Sequence, residues 1–124
     1  MTKLDRNGLK WKIVNMGAYQ FPRIKDASVD LFWNSASLQE MEPDVVENDL
    51  RYVDASCRHV YLRELFKGHG KAWLSGQHGV LEQTGFKNYM NELKRHKLVE
   101  VNIAPWMWWS RGLLQNHFDA FWTV

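Results

Sequence analysis

Residues 29–65 constrain the fold of this chain more than any other stretch: VDLFWNSASLQEMEPDVVENDLRYVDASCRHVYLREL. Residues 29–33 form a nearly continuous apolar run, which suits a strand covered on both faces, as in a parallel sheet. A polar stretch follows: Asn34, Ser35, Ala36, Ser37, Leu38, Gln39, Glu40 and Met41. Pro43 then opens a helix, in whose first turn its missing N–H costs nothing. Glu42 and Asp44 place negative charge at the positive end of that helix dipole. Val46, Leu50 and Val53 recur at helical spacing, and the polar residues between them face water. Residues 58–62 (RHVYL) read as a second short strand. Open α/β sheets bind ligands where the chain leaves the carboxyl end of a strand. The polar turn at 34–41 is therefore the candidate site.

The rest of the chain extends the alternation. Residues 1–10 are polar, carry Asn7-Gly8, and read as a flexible terminus. Residues 11–16 (WKIVNM) alternate apolar and polar and predict a strand. Residues 17–28, with Gly17, Pro22 and Asp26-Ala27-Ser28, predict a loop. Gly68, Gly70, Gly76, Gly79 and Gly85 make residues 66–85 a second loop, with room for a turn of helix near 80–83. At about 20 residues it is long for a structureless connection, and such loops are often functional. Phe86, Tyr89, Met90 and Leu93 stand at i, i+3, i+4 and i+7, which predicts a helix. Residues 98–103 alternate as a strand does, Pro105 ends them, and the β-prone residues 117–124 supply a last strand. The order predicts one α/β domain over residues 11–124. Its sheet is expected to be mostly parallel, with an antiparallel pair at the C-terminus.

Composition narrows the function classes. The 124 residues suffice for one domain with a modest core. Hydrophobic residues make up 45% and charged residues 24%, a globular rather than a disordered balance. A formal net charge of +2 is too small to imply a nucleic-acid partner. The densest basic run, Lys94-Arg95-His96-Lys97, reads as a solvated helix end where cations suit the dipole. The single cysteine, Cys57, makes no internal disulfide and fits a reducing compartment. No signal-like segment stands out, and the apolar runs are far shorter than the roughly 20 residues of a membrane helix. The expectation is a cytoplasmic protein without a membrane partner. Seven tryptophans are unusual, and Trp106, Trp108 and Trp109 cluster around Met107. Their rings suit core or interface packing, or alternatively a stacking platform for a sugar or base.

Residues 29–65 resemble the class I S-adenosylmethionine-dependent methyltransferases, most closely the sugar O-methyltransferase group. Ala27-Ser28-Val29-Asp30-Leu31-Phe32 resembles that family's fourth strand with its leading aspartate. Asn34 to Met41 resembles its "NSxSFQEM" turn, with Leu38 in place of the usual aromatic. Glu42-Pro43-Asp44-Val45-Val46 and Tyr61-Leu62-Arg63 resemble the next helix and the fifth strand. The resemblance implies a Rossmann-like sheet, S-adenosylmethionine as cofactor and a sugar or other small-molecule acceptor. The family's glycine-rich turn has no counterpart before residue 29, and Gly68-His69-Gly70 follows the wrong strand. The chain thus looks like the C-terminal half of such a domain, a partial Rossmann-like sheet. Residues 11–16 then lack their natural neighbour, and the exposed edge beside residues 29–33 invites a homo-oligomer or a complementing chain.

Within the resemblance, Asn34, Ser35 and Ser37 border the cofactor; the alternative is a helix-capping turn, which Ser and Asn side chains also make. Glu40 is a candidate general base if burial raises its pKa, and otherwise an anchor of the turn. His69 is a second candidate base, as is His78, because histidine titrates near neutrality. Gln39, Arg63 and Glu64 are candidate substrate contacts; the alternative for Arg63 and Glu64 is a surface ion pair. The five histidines show no zinc-site spacing, so no metal is expected. Two further readings stand beside the methyltransferase-like one. The first is a non-catalytic interaction module that kept half of the fold. The second, least favoured, is nucleic-acid binding through residues 87–97.

Overall fold

The computed structural model describes residues 2–4, 10–12, 18–68, 70, 79–103 and 117–124. His69, His78 and the tryptophan cluster at 106–109 lie outside the described residues. Strands β1 (Thr2–Leu4) and β2 (Lys10–Lys12) pair antiparallel as a small hairpin. Residues 2–4, read as part of a flexible terminus, are thus in a strand. Of the strand expected at 11–16, only residues 11 and 12 are described as strand, and their partner comes from the chain's own beginning. The expected loop at 17–28 instead holds a 3-10 helix, Ala18–Arg23, which carries Phe21 onto the core.

The main sheet contains β3 (Val29–Ser35), β4 (Cys57–Leu65), β5 (Lys97–Ile103) and β6 (His117–Thr123). Helix α1 (Pro43–Ser56) joins β3 to β4, and α2 (Phe86–Glu92) precedes β5. The strand order is β3-β4-β6-β5. β3 pairs with β4 in parallel, while β6 is antiparallel to both β4 and β5. It follows that β3, β4 and β5 all run one way and β6 runs against them. The expected C-terminal antiparallel pair is present. The expectation of mostly parallel pairing is corrected: β6 is inserted between β4 and β5, so one ladder of the three is parallel.

Alternation sorts the strands into two faces. Val60, Leu62, Phe118, Ala120 and Trp122 are buried beneath Val46, Leu50 and Val53 of α1 and Tyr89 of α2. Phe86 of α2 sets its ring against Phe118, with centroids 4.9 Å apart and planes at 85°. Each large side chain buried in this way contributes on the order of 1.5–3 kcal/mol. The opposite face carries Leu31, Trp33, Tyr61, Arg63 and Asp119, with Trp33 beside Tyr61 and Ser35 beside Arg63. There Arg63 grips Asp119 through both carboxylate oxygens, at 2.5 and 2.9 Å, and reaches the Tyr61 hydroxyl at 3.1 Å. The guanidinium holds the Asp119 carboxyl below the usual range.

The basic run at 94–97 does not cap its own helix. Arg95 donates from its guanidinium to the carbonyls of Asp54 and Ala55 at 3.0 and 2.7 Å, which places a cation at the negative end of α1. The Asp54 carboxylate accepts the Arg95 backbone N–H and lies 2.7 Å from Nδ1 of buried His96.

Residues 80–83 do not form the expected turn of helix. The amides of Leu81 and Glu82 are taken by the Glu42 carboxylate, at 2.7 and 3.0 Å. That diversion also explains why Glu42, although it stands before Pro43, makes no side-chain cap on α1. Gly68 closes the return of the chain. It sits at φ +79°, and a Cβ there would stand 2.3 Å from the Thr84 carbonyl oxygen. A Gly68→Ala substitution is expected to lower stability by ~2 kcal/mol or more in urea unfolding, because both the backbone angle and the carbonyl oppose the methyl.

Candidate functional site

The parallel ladder does not stop at the end of β3. The Ala36 amide donates to the Arg63 carbonyl at 2.7 Å, so the turn begins while still tied to β4. Ala36 adopts φ +57°, a left-handed conformation that costs a non-glycine residue roughly 1 kcal/mol. This reversal aims the amides of Ser37, Leu38 and Gln39 inward. A one-turn 3-10 helix, Leu38–Glu40, follows.

The group that receives those amides is Glu64. Its side chain is fully buried at 0% exposure. One carboxylate oxygen accepts the Gln39 N–H at 3.2 Å. Burial pushes its pKa from the ordinary 4.5 up to about 7, against the pull of the nearby amides of Gln39, Ser37, Leu38 and Ala36. The other carboxylate oxygen has no hydrogen-bond partner among the described residues, and neither has the Tyr89 hydroxyl. Burial raises the pKa of the Tyr89 phenol, and the Glu64 charge raises it further. Gln39 completes the lock: its side-chain oxygen accepts the Leu65 N–H at 2.6 Å and its amide nitrogen donates to Glu40 at 3.3 Å. Thr84 ties the glycine-rich loop to the same turn by donating to the Met41 carbonyl at 3.0 Å.

The proposed site residues separate accordingly. Asn34 and Ser37 come together: the Ser37 hydroxyl donates to the Asn34 side-chain oxygen at 2.8 Å. Ser37 stands at the cap position of the short helix but makes no side-chain cap bond, so the capping alternative is not how its hydroxyl is used. Ser35 lies on the opposite face of the sheet, next to Arg63. Glu64 and Gln39 meet, but as buried parts of the turn's frame. Arg63 and Glu64 are neighbours on a strand and point to opposite faces, so they share neither a cleft nor an ion pair. Glu40 is exposed and does not line the cleft between β3 and α1, and the burial that a raised carboxyl needs is found at Glu64 instead.

Asn34 and Ser37 border a cleft of about 210 Å³ between β3, α1 and the 3-10 helix at 18–23. Phe21, Phe32, Leu38, Met41, Leu50 and Val53 form its apolar walls, and Asp49 is its one charged lining residue. Phe21 and Asp49 were not singled out from the sequence. Phe21 fell in a stretch read as loop. Asp49 was counted among the water-facing residues of α1, although its spacing from Val46 and Val53, three and four residues, sets it beside the apolar stripe. No protein-family model and no curated protein matches the chain. Among the described residues, no group of three or more His, Cys, Asp or Glu side chains is placed to hold a metal ion.

The Glu64 carboxyl makes stability depend on pH. Between about pH 4.5 and 7 the folded chain keeps a proton that the unfolded chain has lost. Stability therefore falls as pH rises through that window and levels off above it, by ~3 kcal/mol in all. Glu64→Gln is expected to flatten this slope in denaturant titrations from pH 4 to pH 8. An unchanged slope would place the titrating group elsewhere.

Proposed function

We propose that this chain is an S-adenosylmethionine-dependent O-methyltransferase-like protein directed at a sugar hydroxyl, and that it carries one wall of the cofactor cleft. The observation that carries the reading is the convergence of Asn34 and Ser37 on a cleft at the carboxyl end of β3, within the turn that resembles the family's own. The closing antiparallel hairpin of β5 and β6 supports it too, because the resemblance implies that hairpin.

The cleft fits part of such a cofactor. Sites for molecules of drug or cofactor size occupy about 300–1,000 Å³, whereas this one measures about 210 Å³. The remaining wall belongs to the glycine-rich half of the family's domain. Bound S-adenosylmethionine supplies a methyl group activated on a sulfonium. The residues of this chain orient and shield: Asn34 and Ser37 offer polar contacts at the cleft, and Glu40 in the same turn is the candidate proton acceptor. Most of the rate gain in such a reaction comes from holding the partners in line. In calorimetry with the full chain, S-adenosylmethionine is expected to bind at micromolar levels, and Asn34→Ala or Ser37→Ala to weaken it at least tenfold, about 1.4 kcal/mol. Absence of binding heat would overturn the reading for this chain.

A specific observation favours a second reading, an interaction module that works with another copy or with a complementing chain. Among the described residues β3 is an edge of the four-stranded sheet, and its outer face exposes Leu31 at 52% and Trp33 at 67%. An open edge flanked by large apolar side chains is a ready template for pairing. Sedimentation velocity is expected to show a dimer, or a complex with the complementing chain, that Trp33→Lys disrupts. A chain that stays monomeric at tens of micromolar, with no complementing partner, would overturn it.

A further inference from the structure

The cleft beside Asn34 has a chemistry that the methyltransferase-like reading does not use. Its lining comes from α1 and the 3-10 helix at 18–23 as well as from β3 and the turn. The rings of Phe21 and Phe32 stand 6.2 Å apart at 73°, so they form a corner rather than a stack. Leu38, Met41, Leu50 and Val53 close the other sides. Asp49 brings a carboxylate to this apolar space and has neither a hydrogen-bond partner nor an ion-pair partner among the described residues. Some carboxylates of this fold are engaged, Asp54 with Arg95 and His96, Asp119 with Arg63, Glu42 with the amides of 81 and 82; Asp49 differs from the other unpartnered ones in bordering a cleft.

An apolar corner with one unpaired anion selects its occupant by charge. A neutral apolar ligand leaves the half-exposed carboxylate without a counter-charge, and an anion is repelled. A compact cation wrapped in alkyl groups satisfies both features. Its methyl groups fill the apolar volume, its spread charge faces the rings, and Asp49 supplies the counter-charge. Cation–π contact of this kind contributes about 0.5–2 kcal/mol, most when water is excluded. A hydrated ammonium such as a lysine head is a poorer fit, because it has to shed water that these walls do not replace.

We propose that the Phe21–Phe32–Asp49 cleft binds a small alkylated organic cation of the quaternary-ammonium class. The proposal shares Asn34 and Ser37 with the methyltransferase-like reading but stands on Asp49 and the two rings. It holds whether or not the chain takes S-adenosylmethionine.

The test is an NMR titration of the full chain with tetramethylammonium chloride, with neopentyl alcohol as a neutral ligand of the same shape and sodium chloride as the salt control. Saturable shifts at the Phe21 and Phe32 ring signals are expected with tetramethylammonium, at concentrations where neopentyl alcohol gives weaker ones. Asp49→Asn is expected to weaken the cation about tenfold and leave the alcohol unchanged. Phe21→Leu, a milder change at a half-buried lining residue, is expected to weaken the cation several-fold with the circular dichroism of the parent retained. Equal binding of cation and alcohol, or an Asp49→Asn variant that binds the cation as the parent does, would overturn the proposal. So would a shift pattern reproduced by sodium chloride. S-adenosylmethionine added in a separate titration keeps the two ideas apart: binding of tetramethylammonium without it removes the cofactor reading alone.

Discussion

A buried carboxyl at the end of a central strand organises this fold. Glu64 points into the core from β4, where an unsatisfied carboxylate costs several kcal/mol. The chain answers by turning the residues after β3 so that their amides face it, with the Gln39 N–H at 3.2 Å. That requirement reaches outward. It fixes the left-handed Ala36, because only a reversal there presents consecutive amides to one point. It seats Gln39 where its side chain can bridge to the Leu65 amide. It positions Met41, whose carbonyl receives Thr84 from across the glycine-rich loop. The mouth of the Asn34 cleft is thus shaped by a group that does not line it.

The insertion of β6 between β4 and β5 governs the rest of the sheet. It gives β4 partners on both sides and leaves β3 and β5 as the edges. Helices α1 and α2 bury one face. The other presents Trp33 and Leu31 at one edge strand, and the Arg63–Asp119 pair toward the middle. Apolar side chains and a bidentate ion pair on one surface are what an interface carries, since its apolar residues gain by leaving water and its charged pair is already satisfied. The two proposals are compatible on one chain: a partner pairing with the edge of β3 would lie beside the cleft that Asn34 and Ser37 border.

What the sequence made legible follows from periodicity. Val46, Leu50 and Val53 announced α1, and Phe86 with Tyr89 announced α2, because each stripe faces a single core. The runs at 29–33 and 58–62 announced β3 and β4, though both strands run longer through polar residues, Asn34 and Ser35 in one and Arg63 and Glu64 in the other. The site was legible in place but not in roles. Adjacent letters in a strand point to opposite faces, so Arg63 and Glu64, paired on paper, part company in space. Strand order was not legible either, because nothing local in residues 117–123 tells where that segment inserts. Phe21 stayed hidden because Pro22 and the neighbouring glycine mark a turn without revealing that the turn carries a buried ring.

The same logic explains what α1 adds to the cleft beside the residues of the turn. A helix that buries a stripe of Val46, Leu50 and Val53 offers its flank, not its centre, to a neighbouring hollow. Asp49 occupies that flank. A carboxylate at such a position costs least when fully in water, and here it borders apolar walls with no cation supplied by the described residues. A ligand of opposite charge is what that acid would favour. The arrangement thus separates two kinds of buried or half-buried acid in one small domain. Glu64 is answered by backbone amides from its own chain and holds the fold together. Asp49 is left unanswered at the edge of an apolar corner, and its missing counter-charge defines what that corner selects.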